Sequence, residues 1–140
     1  MSIANIARQL MRWSYDKEVG DLTVKANIGA SGAVSASKGA GLSSFTKEAT
    51  AGQYSVKLIT PFPYLHSVNA QVVSATISGV ASVQILENPA TVQADFKSDA
   101  TILIQCVDYA GAAVNPPSGS QIVVEFKVSA TSSRVAAWDL

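Results

Sequence analysis

Leu22-Thr23-Val24-Lys25-Ala26-Asn27-Ile28 is the stretch that decides the fold class. Side chains of an extended chain alternate between two faces, so this spacing places Leu22, Val24, Ala26 and Ile28 on one face and Thr23, Lys25 and Asn27 on the other. That is the pattern of a strand with one face in a core and one in water.

The same alternation recurs on both sides of it. Tyr54, Val56 and Leu58 are interleaved with Ser55 and Lys57, and Val68, Ala70 and Val72 follow. At Val73, Ala75 and Ile77 the apolar phase slips by one residue, which predicts a bulge or a change of sheet near Val73. Ala81, Val83 and Ile85 read as a further short strand, as do Val92, Ala94 and Phe96. Residues 101–107 are apolar on both faces, with Ile102, Ile104 and Cys106 on one and Leu103 and Val107 on the other, so this strand belongs at the centre of a sheet. Ile122, Val124, Phe126 and Val128 form the last strong strand, with Glu125 and Lys127 facing out.

Turn chemistry separates these runs at Gly29-Ala30-Ser31-Gly32, Gly39-Ala40-Gly41, Gly52, Pro61-Phe62-Pro63, Asn88-Pro89, Gly111 and Asn115-Pro116-Pro117-Ser118-Gly119. About eight short strands with no long helical period between them predict an all-β fold, an antiparallel β-sandwich or a jelly-roll-like barrel. The expected core is Val24, Ile28, Val56, Leu58, Val83, Ile104, Val124 and Phe126.

Two flanks break the rhythm. Ile3, Ile6, Ala7, Leu10 and Met11 recur at helical spacing behind a possible cap at Ser2, so residues 1–19 read as a short N-terminal helical arm. Arg8 and Arg12 fall one helical turn apart beside that apolar stripe. Residues 20–130 form the sandwich domain, and residues 131–140 a Ser-rich tail that carries Trp138.

A chain of 140 residues suits one domain large enough to bury its own core. Charged residues make up 14% of it, against about 25% in ordinary soluble domains. Such a weakly charged surface resists association poorly, which suits a subunit of an assembly. The formal net charge is zero, so the electrostatic attraction that nucleic-acid binders exploit is missing and no nucleic-acid partner is expected. Seven of the ten basic residues precede Leu58 and six of the ten acids follow it, a polarity compatible with unlike surfaces at two ends. No apolar run reaches the roughly 20 residues of a membrane helix. Asn5, Arg8, Gln9 and Arg12 interrupt any signal-peptide core, so synthesis in a cytoplasm is expected.

The residues that could carry chemistry are few. His66 is the single histidine, no Gly-x-Ser-x-Gly elbow accompanies it, and it reads as a polar residue at a loop-to-strand junction. The glycines from Gly29 to Gly41 lack the spacing of a phosphate loop. Asp95 falls on the polar face of a supposed strand, and Asp99 and Asp108 fall in turns where Asp bonds its own backbone, so no metal or paired-carboxylate site is expected. Cys106, alone and in an apolar strand, should be buried and inert. No cofactor and no catalytic residue is expected. The dispersed aromatics Trp13, Tyr15, Phe62, Tyr64 and Trp138 read instead as interface anchors, together with Ile3, Ile6, Arg8, Leu10 and Arg12 of the arm.

With the strands placed, residues 20–133 resemble small virion proteins of tailed bacteriophages, of the capsid decoration or cement type. The resemblance rests on Gly29-Ala30-Ser31-Gly32-Ala33-Val34, on Lys38-Gly39-Ala40-Gly41-Leu42-Ser43-Ser44, on Gly52-Gln53-Tyr54-Ser55-Val56-Lys57-Leu58 leading into Pro61-Phe62-Pro63-Tyr64-Leu65, and on residues 115–124, Asn115-Pro116-Pro117-Ser118-Gly119-Ser120-Gln121-Ile122-Val123-Val124. It implies a β-sandwich or jelly-roll subunit, a homotrimer, seated on the major capsid protein lattice of the virion. A tail or head-fibre base component is the alternative, followed by a carbohydrate-binding β module and, last, a hydrolase.

Overall fold

The computed structural model describes residues 19–129 apart from Pro63 and Ser78, and, for Val19, the backbone alone. The eight strands are β1 (Val19–Ile28), β2 (Val34–Gly39), β3 (Leu42–Lys47), β4 (Gln53–Leu58), β5 (Tyr64–Val73), β6 (Ser82–Ile85), β7 (Thr101–Val107) and β8 (Gln121–Ser129). They form two four-stranded antiparallel sheets, ordered β2-β1-β8-β5 and β3-β4-β7-β6. The sheets face each other as an open sandwich and do not close into a barrel. Four of the seven connections cross from one sheet to the other, which ties the two layers into one core.

The alternating residues fill that core as expected. Val24, Ala26 and Ile28 of β1 and Ile122, Val124, Phe126 and Val128 of β8 face Tyr54, Val56 and Leu58 of β4 and Ile102, Ile104 and Cys106 of β7. All are buried, whereas Val83, an expected core residue on edge strand β6, is half-buried. β7 is an inner strand, in line with its two apolar faces.

Two sequence expectations are corrected. Val92, Ala94 and Phe96 do not form a strand but lie in a helix, α1 (Val92–Asp99). Over five residues the two periods coincide: Val92 and Phe96 stand four apart, which puts both on one helical face, and both are buried while Ala94 is exposed. Asn88 starts the helix, its carbonyl accepting the Thr91 and Val92 N–H groups and its side chain accepting that of Ala90. Asp95 therefore sits on a helix and not on a strand. The second correction concerns Val73, Ala75 and Ile77. β5 ends at Val73, the chain crosses to the other sheet before β6, and Ile77 is 98% exposed. Of the bulge or change of sheet that the phase slip predicts near Val73, the change of sheet is what occurs; the bulge of β5 lies elsewhere, where the register shifts between Leu65 and Ser67 and leaves His66 as the extra residue. The expected helical arm lies outside the described residues.

Candidate functional site

Register pairing assigns each loop to one end of the sandwich. β1 starts at Val19 opposite Ser129, the last residue of β8, and Tyr64, the first residue of β5, pairs with the same Ser129. The chain thus enters the sandwich and leaves it from neighbouring strands, at the end where the 59–63 loop and α1 also lie. Tyr64 is half-buried, Phe62 packs half-buried against the core, and Ile59 of the same loop is 69% exposed. This loop is held from both sides, since the Ile59 N–H donates to the Gly41 carbonyl and the Leu58 N–H to that of Ala100.

His66 sits on the bulge of β5, half-buried, with Nε2 2.9 Å from the Ser129 hydroxyl. Ser129 is only 2% exposed, so its oxygen is out of reach of a substrate carbonyl, and the pair stitches the edge strand to β8. Beside it the Leu65 N–H donates to Gln93 of α1 over 3.0 Å, which ties the helix to the bulged strand. Cys106 is fully buried and its thiol is pushed up to about 11 by desolvation, so no thiolate forms near neutrality. Asp99, expected in a turn, is instead the last residue of α1, where it accepts the Thr101 N–H, whereas Asp108 opens a turn and accepts the N–H groups of Ala110 and Ala112. Among the described residues, no group of three or more His, Cys, Asp or Glu is placed to hold a metal.

The opposite end is a lock. The Tyr54 hydroxyl, at the bottom of the core, donates to the Gly32 carbonyl over 2.7 Å, and Asn115 accepts the Gly52 N–H over 2.8 Å. Gly52 has φ +72, and a Cβ there would stand 2.5 Å from the Val114 carbonyl oxygen, so only glycine lets the β3–β4 turn approach the 108–120 loop.

The outer faces are polar and shallow. Asp21, Thr23, Ser67, Asn69, Glu125 and Lys127 border a depression of about 390 Å³ on one sheet. Gln53 donates to Gln105 across the other. Of the described aromatic rings, Phe45, Tyr54, Phe96 and Phe126 are buried, Tyr109 stands on a turn, and Phe62 and Tyr64 flank one loop. The described rings form no stacking platform of the kind sugars use on either face.

Comparison with protein-family models, with curated proteins and with solved structures found no match.

Of the residues expected at an interface, Phe62 and Tyr64 are brought together at the end where the chain enters and leaves. Ile3, Ile6, Arg8, Leu10, Arg12, Trp13, Tyr15 and Trp138 lie outside the described residues. Sequence reasoning missed Ile59, although adjacent Leu58 and Ile59 cannot both face inward from one strand. It also missed the half-buried seam where β5 and β6 border each other, lined by Val68, Val83 and Ile85. Val68, Val83 and Ile85 alternate with polar residues just as the buried residues of inner strand β1 do, so their pattern carries no mark of an edge.

Proposed function

We propose that this protein is a structural component of a tailed-phage virion, a capsid decoration or cement protein that assembles with itself as a homotrimer and binds the major capsid protein lattice. The observation that carries the reading is the gathering of the chain's entry, its exit and the Ile59, Phe62 and Tyr64 loop at one end of a rigid sandwich. A subunit built this way has one attachment end and leaves the rest of its surface to solvent. Three further features support it. Charge is scarce, the polar outer faces carry shallow depressions, and apolar side chains remain half-exposed along one side, where an assembly would cover them.

The test is to mix the full-length protein with phage heads lacking it and image the particles. Regular density at capsid symmetry positions is the expected result. Density confined to the tail or to the head-fibre base would replace this reading with the other virion role, and no binding to heads or tails would end it.

A further inference from the structure

Where β6 gives way to α1, the molecule has a small pocket with a carboxylate on its wall. Its volume is about 190 Å³, and it is lined by Val68 of β5, Ile85 at the end of β6, Glu87 and Pro89 of the connection that follows, and Val92 at the start of α1. Val92 belongs to the core, whereas Val68, Ile85 and Glu87 are half-buried and Pro89 is exposed, so the pocket opens from the core to solvent.

The local sequence explains how Glu87 comes to stand there. β6 ends at Ile85, and the Asn88-Pro89 turn diverts the chain into α1. Bonding to β7 continues past the strand end nonetheless: the Leu86 N–H donates to the Leu103 carbonyl over 2.9 Å, and the Leu103 N–H donates to Glu87 Oε1 over 2.8 Å. A side-chain oxygen thus replaces a strand carbonyl, which holds the carboxylate in one place. Its other oxygen, Oε2, receives no hydrogen bond from the described residues. Burial pushes the Glu87 carboxyl above the usual Glu range, the Leu103 N–H works against this, and the charges of Asp95 and Asp99 on α1 add to it from outside the pocket lining. Lys97, the cation of α1, is exposed. A cation reaching Oε2 would meet a fixed, underused acceptor in a negative field.

The lining defines the rest of the ligand. Val68, Ile85, Pro89 and Val92 suit an aliphatic stem, and the volume, below the roughly 300–1,000 Å³ of small-molecule sites, admits only a short one. A compact ammonium suits a single free oxygen better than a planar guanidinium, whose fork calls for two. We propose that this pocket binds a primary ammonium group on a short aliphatic stem, with the stem against the apolar lining and the ammonium donating to Glu87 Oε2. The site stands independently of the assembly reading. A lysine side chain of a partner protein and a free alkylamine both present this group.

The test titrates the full-length protein with n-butylammonium chloride at neutral pH and follows the methyl resonances of Val68, Ile85 and Val92, with n-butanol as the uncharged match. Saturable shifts at these methyls are expected, with a millimolar dissociation constant for so few heavy atoms. Binding should be about tenfold weaker for butanol, and about tenfold weaker for butylammonium in Glu87→Gln, the scale of one charge-assisted hydrogen bond. Gln keeps an acceptor for the Leu103 N–H, so the fold should survive. Val68→Phe, which fills the pocket and leaves Glu87 in place, should abolish the shifts. Nα-acetyl-lysine methylamide separates the two sources: binding at least as tight as that of butylammonium assigns the site to a partner's lysine, and loss of binding assigns it to a free amine. Butanol binding as tightly as butylammonium, or an affinity unchanged in Glu87→Gln, overturns recognition of the charge. The absence of saturable shifts with butylammonium overturns the site.

Discussion

Tyr54 and Cys106 show how burial converts side-chain chemistry into a stability profile. Tyr54 has no exposure, and burial, reinforced by the neighbouring Cys106, pushes its phenol from 10.0 up to about 12; burial pushes the Cys106 thiol from 9.0 to about 11. In each window the unfolded chain has lost a proton that the folded chain keeps. Folding therefore binds protons there, and stability falls as pH rises, between 9 and about 11 for Cys106 and between 10 and about 12 for Tyr54. The upper bound on the slope is about 1.4 kcal/mol per pH unit for each group. Urea midpoints should be flat from pH 7 to 8.5 and then drop, and Cys106→Ala should remove the earlier part of the drop while leaving binding to particles intact. A midpoint unchanged at pH 10.5 would contradict the burial assigned to both groups. His66 is the contrasting case, since its sequence position marked it as polar but only the β5 register shows that it is a bulge residue bonded to Ser129.

Helix α1 is the element that sequence periodicity misassigned, and the reason is its length. Eight residues give little room to separate a period of 2 from one of 3.6 when Val92 and Phe96 satisfy both. Tertiary packing decides the matter: Phe96 is fully buried, its ring stacked 6.2 Å from Phe126 of β8. A helix this short is not stable alone, so burial of its apolar face must hold it. Phe96→Ala should accordingly cost about 3–5 kcal/mol in urea denaturation, the range for emptying a large aromatic site in a core. It should also release α1 and expose the Leu65 N–H now held by Gln93, seen as faster amide exchange at Leu65. A loss under about 1 kcal/mol would mean that the helix is peripheral to the fold.

Over the described residues, edge strands β2 and β3 meet on one side of the sandwich and β5 and β6 on the other, and its entry and exit share one end. Deleting residues 1–13 should leave the β-rich circular dichroism spectrum and the melting temperature of the isolated subunit nearly unchanged, while lowering the mass measured by sedimentation from oligomer to monomer. A truncated chain that still assembles would remove the N-terminal segment from the interface, and one that melts much lower would place it in the subunit's own core. What the sequence determined alone is local. Alternation over residues such as Leu22 to Ile28 sets a strand and its buried face because side-chain direction depends only on the residue's own backbone and its neighbours. Gly, Pro, Asn and Asp clusters set where strands stop for the same reason. Which strands lie at edges, which loops share an end, and whether Val92 to Phe96 coil or extend depend on pairing between residues far apart in the chain, such as Val19 with Ser129 and Val68 with Phe126. Those pairings are selected by the combined burial of both sheets, a quantity that no single stretch of sequence contains, and they alone bring β5 and β6 together as the edge strands of one side.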